Sequence, residues 1–88
     1  MSTGPLAIEF VTRAGCTTCS TAELVVRRVA DQLGIPVLLR DVDLDASLEE
    51  FSERVPVVLS ASGQVLAEGR VSAGRLWLRL AAGRALGF

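Results

Sequence analysis

Short apolar runs alternate with polar segments along the chain, which predicts a series of short strands and helices. Residues 6–11 are apolar and rich in β-forming side chains, so they predict a first strand. Over residues 17–33 the apolar positions recur at helical spacing and predict a long amphipathic helix. Its apolar stripe consists of Ala22, Val25, Val26, Val29 and Leu33. Gly34 and Pro36 follow, and residues of these types end helices.

The second half of the chain continues this alternation. The predicted strands there are residues 37–42, 57–60 and 64–68. The last two strands are joined by a short polar segment that contains Gly63, which indicates a hairpin turn. A short helix is expected over residues 46–53, with Asp45 or Ser47 as its N-cap. A final helix is expected over residues 73–82.

The resulting order of elements is β-α-β-α-β-β-α. A strand–helix–strand unit implies a parallel strand pair with a right-handed crossover, whereas a hairpin is antiparallel. The sequence therefore predicts an α/β fold, a mixed four-stranded sheet flanked by helices, in one domain spanning residues 1–88. On the last helix, which Ser72 is expected to cap, Leu76, Trp77 and Leu80 are predicted to face the core.

Charge and composition narrow the class of protein. The chain has 88 residues with nine basic and ten acidic side chains, interspersed, so it lacks the basic stripe typical of nucleic-acid binding. Its apolar runs are far shorter than the ~20 residues that cross a bilayer. The N-terminal residues do not have the pattern of an export signal, so a cytoplasmic protein without a membrane partner is expected. The absence of His excludes catalysis by a Ser–His or Cys–His pair.

The chemistry of the chain is concentrated in Cys16-Thr17-Thr18-Cys19, which follows the first strand and opens the long helix. Unpaired backbone N–H groups and the helix dipole favour negative charge on Cys16, and Arg13 brings a positive charge near it. A thiol with the ordinary pKa of ~8.5 is only slightly ionised at neutral pH, so a lowered pKa supplies more of the attacking thiolate. One helical turn brings Cys19 back towards Cys16, as the more buried, resolving thiol.

Three other interpretations of the cysteine pair remain open. Tetrahedral zinc needs four ligands and the chain has two Cys and no His, so a zinc site would require carboxylates or a dimer, and an iron–sulfur site a dimer that shares its cysteines. The two cysteines could also be inert packing residues. Finally, the domain could be a binding module that no longer turns over disulfides. We assign no metal site and expect a monomer.

Three motifs together resemble those of glutaredoxin-like proteins of the thioredoxin superfamily. They are residues 12–19, the dipeptide Val55-Pro56, and Gly69 after the fourth strand. The resemblance extends from residue 6 to about residue 80. It implies a thioredoxin-like fold and a dithiol–disulfide oxidoreductase, with Cys16 as the nucleophile and Cys19 as the resolving cysteine.

The resemblance also implies roles for the residues around the pair. Arg13 stands at the basic position three residues before the nucleophile and would tune the thiolate. Pro56 stands at the position of a cis proline, where the backbone of Val55 would pair with a substrate peptide. Gly69 would complete the substrate groove. Independently of the resemblance, the hydroxyl of Thr17 is expected to donate a hydrogen bond to the thiolate or to cap the helix.

Two departures from the family pattern concern the reductant. Thr17 and Thr18 replace the usual proline and aromatic residue between the cysteines, and Gly69 is followed by Arg70 without the acidic residue that grips the glutathione amine. These departures do not single out one reductant, so glutathione, another small thiol or a reductase is expected to reduce the cysteine pair. The expected substrates are protein disulfides or mixed disulfides of small thiols. No cofactor is expected beyond the redox-active Cys16–Cys19 disulfide.

Overall fold

The computed structural model describes the backbone of residues 7–86 and the side chains of residues 7–83. Within this range the chain forms four strands, two α-helices and one 3₁₀ helix. In chain order they are β1 (Ile8–Thr12), α1 (Thr17–Leu33), β2 (Val37–Asp41), the 3₁₀ helix (Ala46–Phe51), β3 (Val57–Leu59), β4 (Val65–Glu68) and α2 (Ala73–Leu86). The predicted order of elements is confirmed.

The strands form one mixed sheet in the order β2-β1-β3-β4. Strand β1 runs parallel to β2 and antiparallel to β3, and β3 runs antiparallel to β4. The predicted mixed four-stranded sheet is confirmed. Val57 at the start of β3 lies opposite both Val11, near the end of β1, and Glu68, at the end of β4. The segments that follow β1, precede β3 and follow β4 therefore meet at one edge of the sheet.

Apolar side chains are buried on both faces of the sheet, because successive residues of a strand point to opposite sides. On one face, Ile8, Phe10 and Val58 pack with α1 and α2. The helices contribute Ala22, Val26, Val29, Ala30, Leu76 and Leu80, and Ile35 follows α1. On the other face, the strands and the 3₁₀ helix contribute Val11, Val42, Leu48, Phe51, Val57 and Leu59. The first layer is closed by two helices, and the second only by the short one.

Element ends mostly agree with the sequence prediction. Helix α1 has the predicted bounds and ends at Gly34, whose φ of 67° places it in the left-handed conformation of a helix C-cap. Strands β2, β3 and β4 differ by one residue at one end, and α2 continues past residue 82 to Leu86. Strand β1 begins at Ile8 and ends at Thr12, whereas residue 6 lies outside the described residues.

The segment predicted as a short helix over residues 46–53 is a 3₁₀ helix that ends at Phe51. Asp45 is its N-cap, since its carboxylate accepts a hydrogen bond from the Ser47 N–H at 3.0 Å. Leu48 and Phe51 are three residues apart, and residues at this spacing lie on the same side of a 3₁₀ helix. Both are buried against the sheet, so the tighter helix places both apolar side chains in the core.

The prediction that Trp77 faces the core is wrong. Leu76 and Leu80, four residues apart on α2, are buried, whereas Trp77 is 40% exposed. Adjacent helical residues point about 100° apart, so a face centred on Leu76 and Leu80 leaves Trp77 at its margin. Burying each of the two leucines contributes roughly 1.5–3 kcal/mol.

A search for membrane spans among residues 7–86 finds no helix with the length and apolar character that crossing a bilayer requires.

Candidate functional site at the Cys16–Cys19 pair

The cysteine pair lies where β1 leads into α1. Cys16 is the N-cap of α1, with the extended backbone (φ −89°, ψ 108°) that this position requires, and Cys19 lies in the first turn. The two residues form a disulfide, with their Cα atoms 5.1 Å apart. This separation is within the ordinary range for a disulfide, so the pair can be bridged without moving the backbone.

The two sulfur-bearing residues differ in exposure. Cys16 is partly exposed, whereas Cys19 is 2% exposed and packs inside the domain. Because an external disulfide must approach a sulfur from solvent, only Cys16 is open to such an approach. Cys19 is bonded to Cys16 and is shielded from solvent.

The start of α1 provides hydrogen-bond donors for negative charge on Cys16. The Cys19 N–H donates to Cys16 Sγ at 3.1 Å. The first N–H groups of a helix have no intrahelical acceptor, and the helix dipole favours negative charge at the same end. The first turn of α1 contains no acidic residue that would oppose this effect. The site therefore has the electrostatic character that stabilises a thiolate.

Arg13 is bound to groups other than the sulfur. Its Nε and one terminal nitrogen donate to the two carboxylate oxygens of Asp43, both at 3.0 Å. The other terminal nitrogen donates to the Ser52 carbonyl at 2.9 Å. The hydrogen bond to Asp43 is the main reason that the pKa of Arg13 is raised. Arg13 thus ties the end of β1 to two later segments, and the Asp43 carboxylate offsets its charge.

Val55 and Pro56 lie at the same sheet edge as the cysteines, directly before β3. The peptide bond between them is cis, as the resemblance implied, and Pro56 is fully buried. The Val55 N–H donates to the Phe51 carbonyl at 3.1 Å, which leaves the Val55 carbonyl as its main-chain group for pairing with a peptide. Gly69, at a φ of 70°, donates its N–H to the Pro56 carbonyl at 2.9 Å.

A groove of about 400 Å³ runs beside the cysteine pair. Its lining consists of Thr17, Thr18, Thr21, Ala22, Val25, Arg70 and Val71. Thr17 and Thr18 stand between the two cysteines, so the groove reaches the motif itself. Arg70 is the charged residue of this lining, and no carboxylate is part of it.

From the sequence alone, Arg70 is identified only as the residue that follows Gly69 in place of the acidic residue of the family pattern. The signal that could have placed it is the antiparallel hairpin of β3 and β4. That hairpin returns the chain to the edge where β3 begins, and the residues after Gly69 then lie beside the start of α1. As for metals, no group of three or more His, Cys, Asp or Glu side chains within the described part of the chain could hold an ion.

The family model described as "Glutaredoxin-like domain (DUF836)" matches residues 7–80. The chain is 36% identical over 58 residues to "Uncharacterized protein Rv0508" of Mycobacterium tuberculosis and, with the same figures, to "Uncharacterized protein Mb0520" of Mycobacterium bovis. These matches cover 59% of this chain and span 60% of the length of each relative.

One solved structure has the same architecture. It is the X-ray structure of XcR50 from X. campestris, a Northeast Structural Genomics target, with 26% sequence identity and a TM-score of 0.71. The match covers 86% of this chain and 97% of that chain. With the family match, this likeness confirms the predicted thioredoxin-like α/β fold.

Proposed function

The chain belongs to the glutaredoxin-like domain family (DUF836), and from that premise we propose that it is a dithiol–disulfide oxidoreductase acting through Cys16 and Cys19. Its substrates are protein disulfides or mixed disulfides of small thiols in a reducing, cytoplasmic compartment. The domain acts as a monomer, and it needs no cofactor beyond its own cysteine pair.

The proposed reaction begins with the reduced pair. The Cys16 thiolate attacks one sulfur of the substrate disulfide, a mixed disulfide forms, and the other substrate sulfur leaves as a thiolate that takes a proton. The Cys19 thiolate then attacks Cys16 Sγ, closes the Cys16–Cys19 disulfide and expels the second substrate thiolate. Two electrons pass from the protein to the substrate. A small thiol such as glutathione, or a reductase, returns the pair to the dithiol.

The observation that carries this proposal is the difference in exposure between two sulfurs that can bond to each other. Cys16 is partly exposed and accepts a hydrogen bond from the Cys19 N–H, while Cys19 is buried. A nucleophile that is accessible and a resolving thiol that is protected from solvent are what the two steps require.

The groups around the pair have supporting roles in the proposal. Arg13 and the hydroxyl of Thr17 tune the thiolate, Arg13 against the opposing charge of Asp43. Val55, Pro56 and Gly69 are not part of the lining of the 400 Å³ groove; in the proposal they form the adjoining surface, where the Val55 carbonyl pairs with a peptide substrate.

The test compares two variants, Cys16→Ser and Cys19→Ser, with the wild type. Each is incubated with a disulfide substrate and dithiothreitol, and the release of thiol is followed against dithiothreitol alone. We expect Cys16→Ser to reduce the rate to that background. We expect Cys19→Ser, reduced beforehand and mixed with the disulfide after the dithiothreitol has been removed, to react once and to accumulate a mixed disulfide, which mass spectrometry detects as the added mass of one substrate thiol.

Two results would contradict the proposal. One is a rate that Cys16→Ser leaves unchanged, and the other is a wild-type rate no faster than dithiothreitol alone. The second result, with a correctly folded protein, would instead indicate a binding module that keeps the fold without turnover.

A further inference from the structure

Arg70, like Arg28 and Arg75, has no side-chain partner among the described residues, and it is the one of these three arginines that lines the groove at the cysteine motif. Across the described side chains, Arg13, Arg27, Arg40 and Arg54 each bind a carboxylate, and Arg79 donates to a backbone carbonyl. Arg70 is exposed and makes no ion pair or hydrogen bond with any of the described residues. Its guanidinium therefore has its donors free for a ligand.

The position of Arg70 relates this free charge to the cysteines. Gly69 is held against the Pro56 carbonyl, which fixes where the loop after β4 begins. Arg70 and Val71 line the groove together with Thr17 and Thr18, the two residues between the cysteines, whereas neither cysteine is itself part of that lining. A substrate that reaches Cys16 through this groove passes beside the guanidinium.

The surroundings reinforce the positive charge instead of cancelling it. Residues 69–88 contain four arginines and no acidic residue. Arg70 also lines a second groove of about 510 Å³ together with Arg75 and Arg79. The carboxylate in that lining, Glu68, already binds Arg54 at 2.7 Å, and this bond is the main reason that the pKa of Glu68 is lowered. Uncompensated charge of one sign attracts the opposite charge and raises its local concentration.

We propose that Arg70 makes the exchange site selective for disulfides that carry a carboxylate a few bonds from the sulfur. This inference rests on the proposed function, since it names the substrate class of the same site. The planar guanidinium binds the carboxylate through paired N–H donors. That contact holds the substrate in the groove while the Cys16 thiolate attacks the adjacent disulfide. The exchange reaction is unchanged: one substrate thiolate leaves at each step, and the two electrons come from the Cys16–Cys19 dithiol.

The experiment uses three small disulfides of similar size. They are bis(2-carboxyethyl) disulfide, which is anionic, bis(2-hydroxyethyl) disulfide, which is neutral, and cystamine, which is cationic. The rate for each is divided by its rate with dithiothreitol alone, which removes the intrinsic difference in reactivity. An exposed ion pair contributes up to about 1 kcal/mol, so we expect the wild type to prefer the anionic over the neutral disulfide by about 5-fold.

The variants Arg70→Gln and Arg70→Glu test whether this residue causes the preference. We expect Arg70→Gln to abolish the preference for the anionic disulfide and to leave the rate with the neutral one unchanged. Arg70→Glu should favour cystamine instead. Arg28→Gln is the matched control, because Arg28 is also exposed and unpaired among the described residues but lines a different groove, together with Arg27 and Asp31. Arg28→Gln should keep the wild-type preference.

The outcomes separate this inference from the proposed function. Equal normalised rates for all three disulfides, unaltered by Arg70→Gln, would overturn the selectivity and leave the oxidoreductase intact. Turnover of none of them would remove the oxidoreductase instead. A binding measurement then still decides the role of Arg70: the unreactive thioether analogue of the anionic disulfide should shift the amide NMR signals of Thr17, Thr18 and Val71 in the wild type but not in Arg70→Gln. Absence of these shifts in the wild type would also overturn the inference.

Discussion

Two arginines are close to the cysteine pair in the fold, and their situations are opposite. Arg13, on the loop before Cys16, gives all three nitrogens of its guanidinium to Asp43 and to the Ser52 carbonyl. Arg70, on the loop after β4, has no partner among the residues that the structure describes. Arg13 therefore holds parts of the molecule together with its charge offset, whereas Arg70 presents its charge to whatever enters the groove.

This difference separates the two ways in which a positive charge can act at a thiol site. An arginine that is paired with a carboxylate shifts the pKa of a nearby thiol only by the net effect of the two opposite charges. A free charge beside the groove acts on the substrate instead. The location of an arginine near a reactive sulfur is therefore not enough to assign its role, because the partner of the guanidinium decides which of the two applies.

The largest expected effect is on the free energy of unfolding, and it concerns Phe51 in the segment to which Arg13 is bound. Phe51 is buried beneath the sheet, and its carbonyl accepts from the Val55 N–H in the segment that also supplies the Ser52 carbonyl to Arg13. Phe51→Ala should lower the free energy of unfolding by about 3–5 kcal/mol, because it leaves a cavity. Denaturant unfolding measures this loss. Leu78→Ala, at a residue that is 66% exposed, is the control and should stay within about 0.5 kcal/mol of the wild type.

The offset of Arg13 by Asp43 can be removed directly. Asp43→Asn keeps the side-chain shape but takes away the negative charge, so it should lower the pKa of Cys16. Arg13→Gln removes both the cation and its ion pair with Asp43, and it should raise the same pKa. The pH dependence of alkylation by iodoacetamide, measured in a Cys19→Ser background, reports this pKa. If the curves of both variants coincide with that of Cys19→Ser alone, the Arg13–Asp43 pair has no influence on the pKa of Cys16.

The hydroxyl of Thr17 is expected to have a smaller effect than the arginines. In the disulfide form, Cys16 Sγ accepts from the Cys19 N–H, and Thr17 lies at the groove with its side chain exposed. Thr17→Val keeps the shape without the hydroxyl. A single net hydrogen bond contributes roughly 0.5 kcal/mol at its lower limit, so the rate of exchange should fall about 2-fold. A loss as large as that of Cys16→Ser would instead make the hydroxyl essential to the thiolate.

The smallest expected effect is on the pH dependence of stability, and it concerns the paired carboxylate of Asp45. The pKa of Asp45 is lowered, first by the hydrogen bond from the Ser47 hydroxyl and then by that from Arg40. A lowered folded-state pKa stabilises the protein above the unfolded value of ~3.9, and this stability is lost as the pH falls through the folded value. Denaturant midpoints measured downwards from pH ~5 should therefore fall less steeply for Asp45→Asn than for the wild type. Parallel curves would contradict a coupled Asp45. Arg70→Gln should leave the curve unchanged.

Much of the fold could be predicted from neighbouring residues. The bounds of α1 follow from its apolar stripe and from Gly34, and the order of the elements along the chain follows from the alternation of apolar runs and polar segments. The prediction of a cis peptide bond before Pro56 rests on the resemblance to a family, since the dipeptide alone does not specify it. Trp77 was misplaced because periodicity gives the direction of a helical face only to within one residue.

The sequence by itself determined the features that depend on local chain geometry. Cys16 caps α1 and Cys19 follows one turn later, and so the paired sulfurs and the nearby N–H donors are properties of a few adjacent residues. Only the tertiary structure decided what each arginine binds. Asp43 is 30 residues from Arg13, and Arg70 reaches the groove only because β3 and β4 return the chain to the edge where α1 begins. The topology of the sheet determines which charged residues meet across such distances, and no local pattern in the sequence encodes that topology.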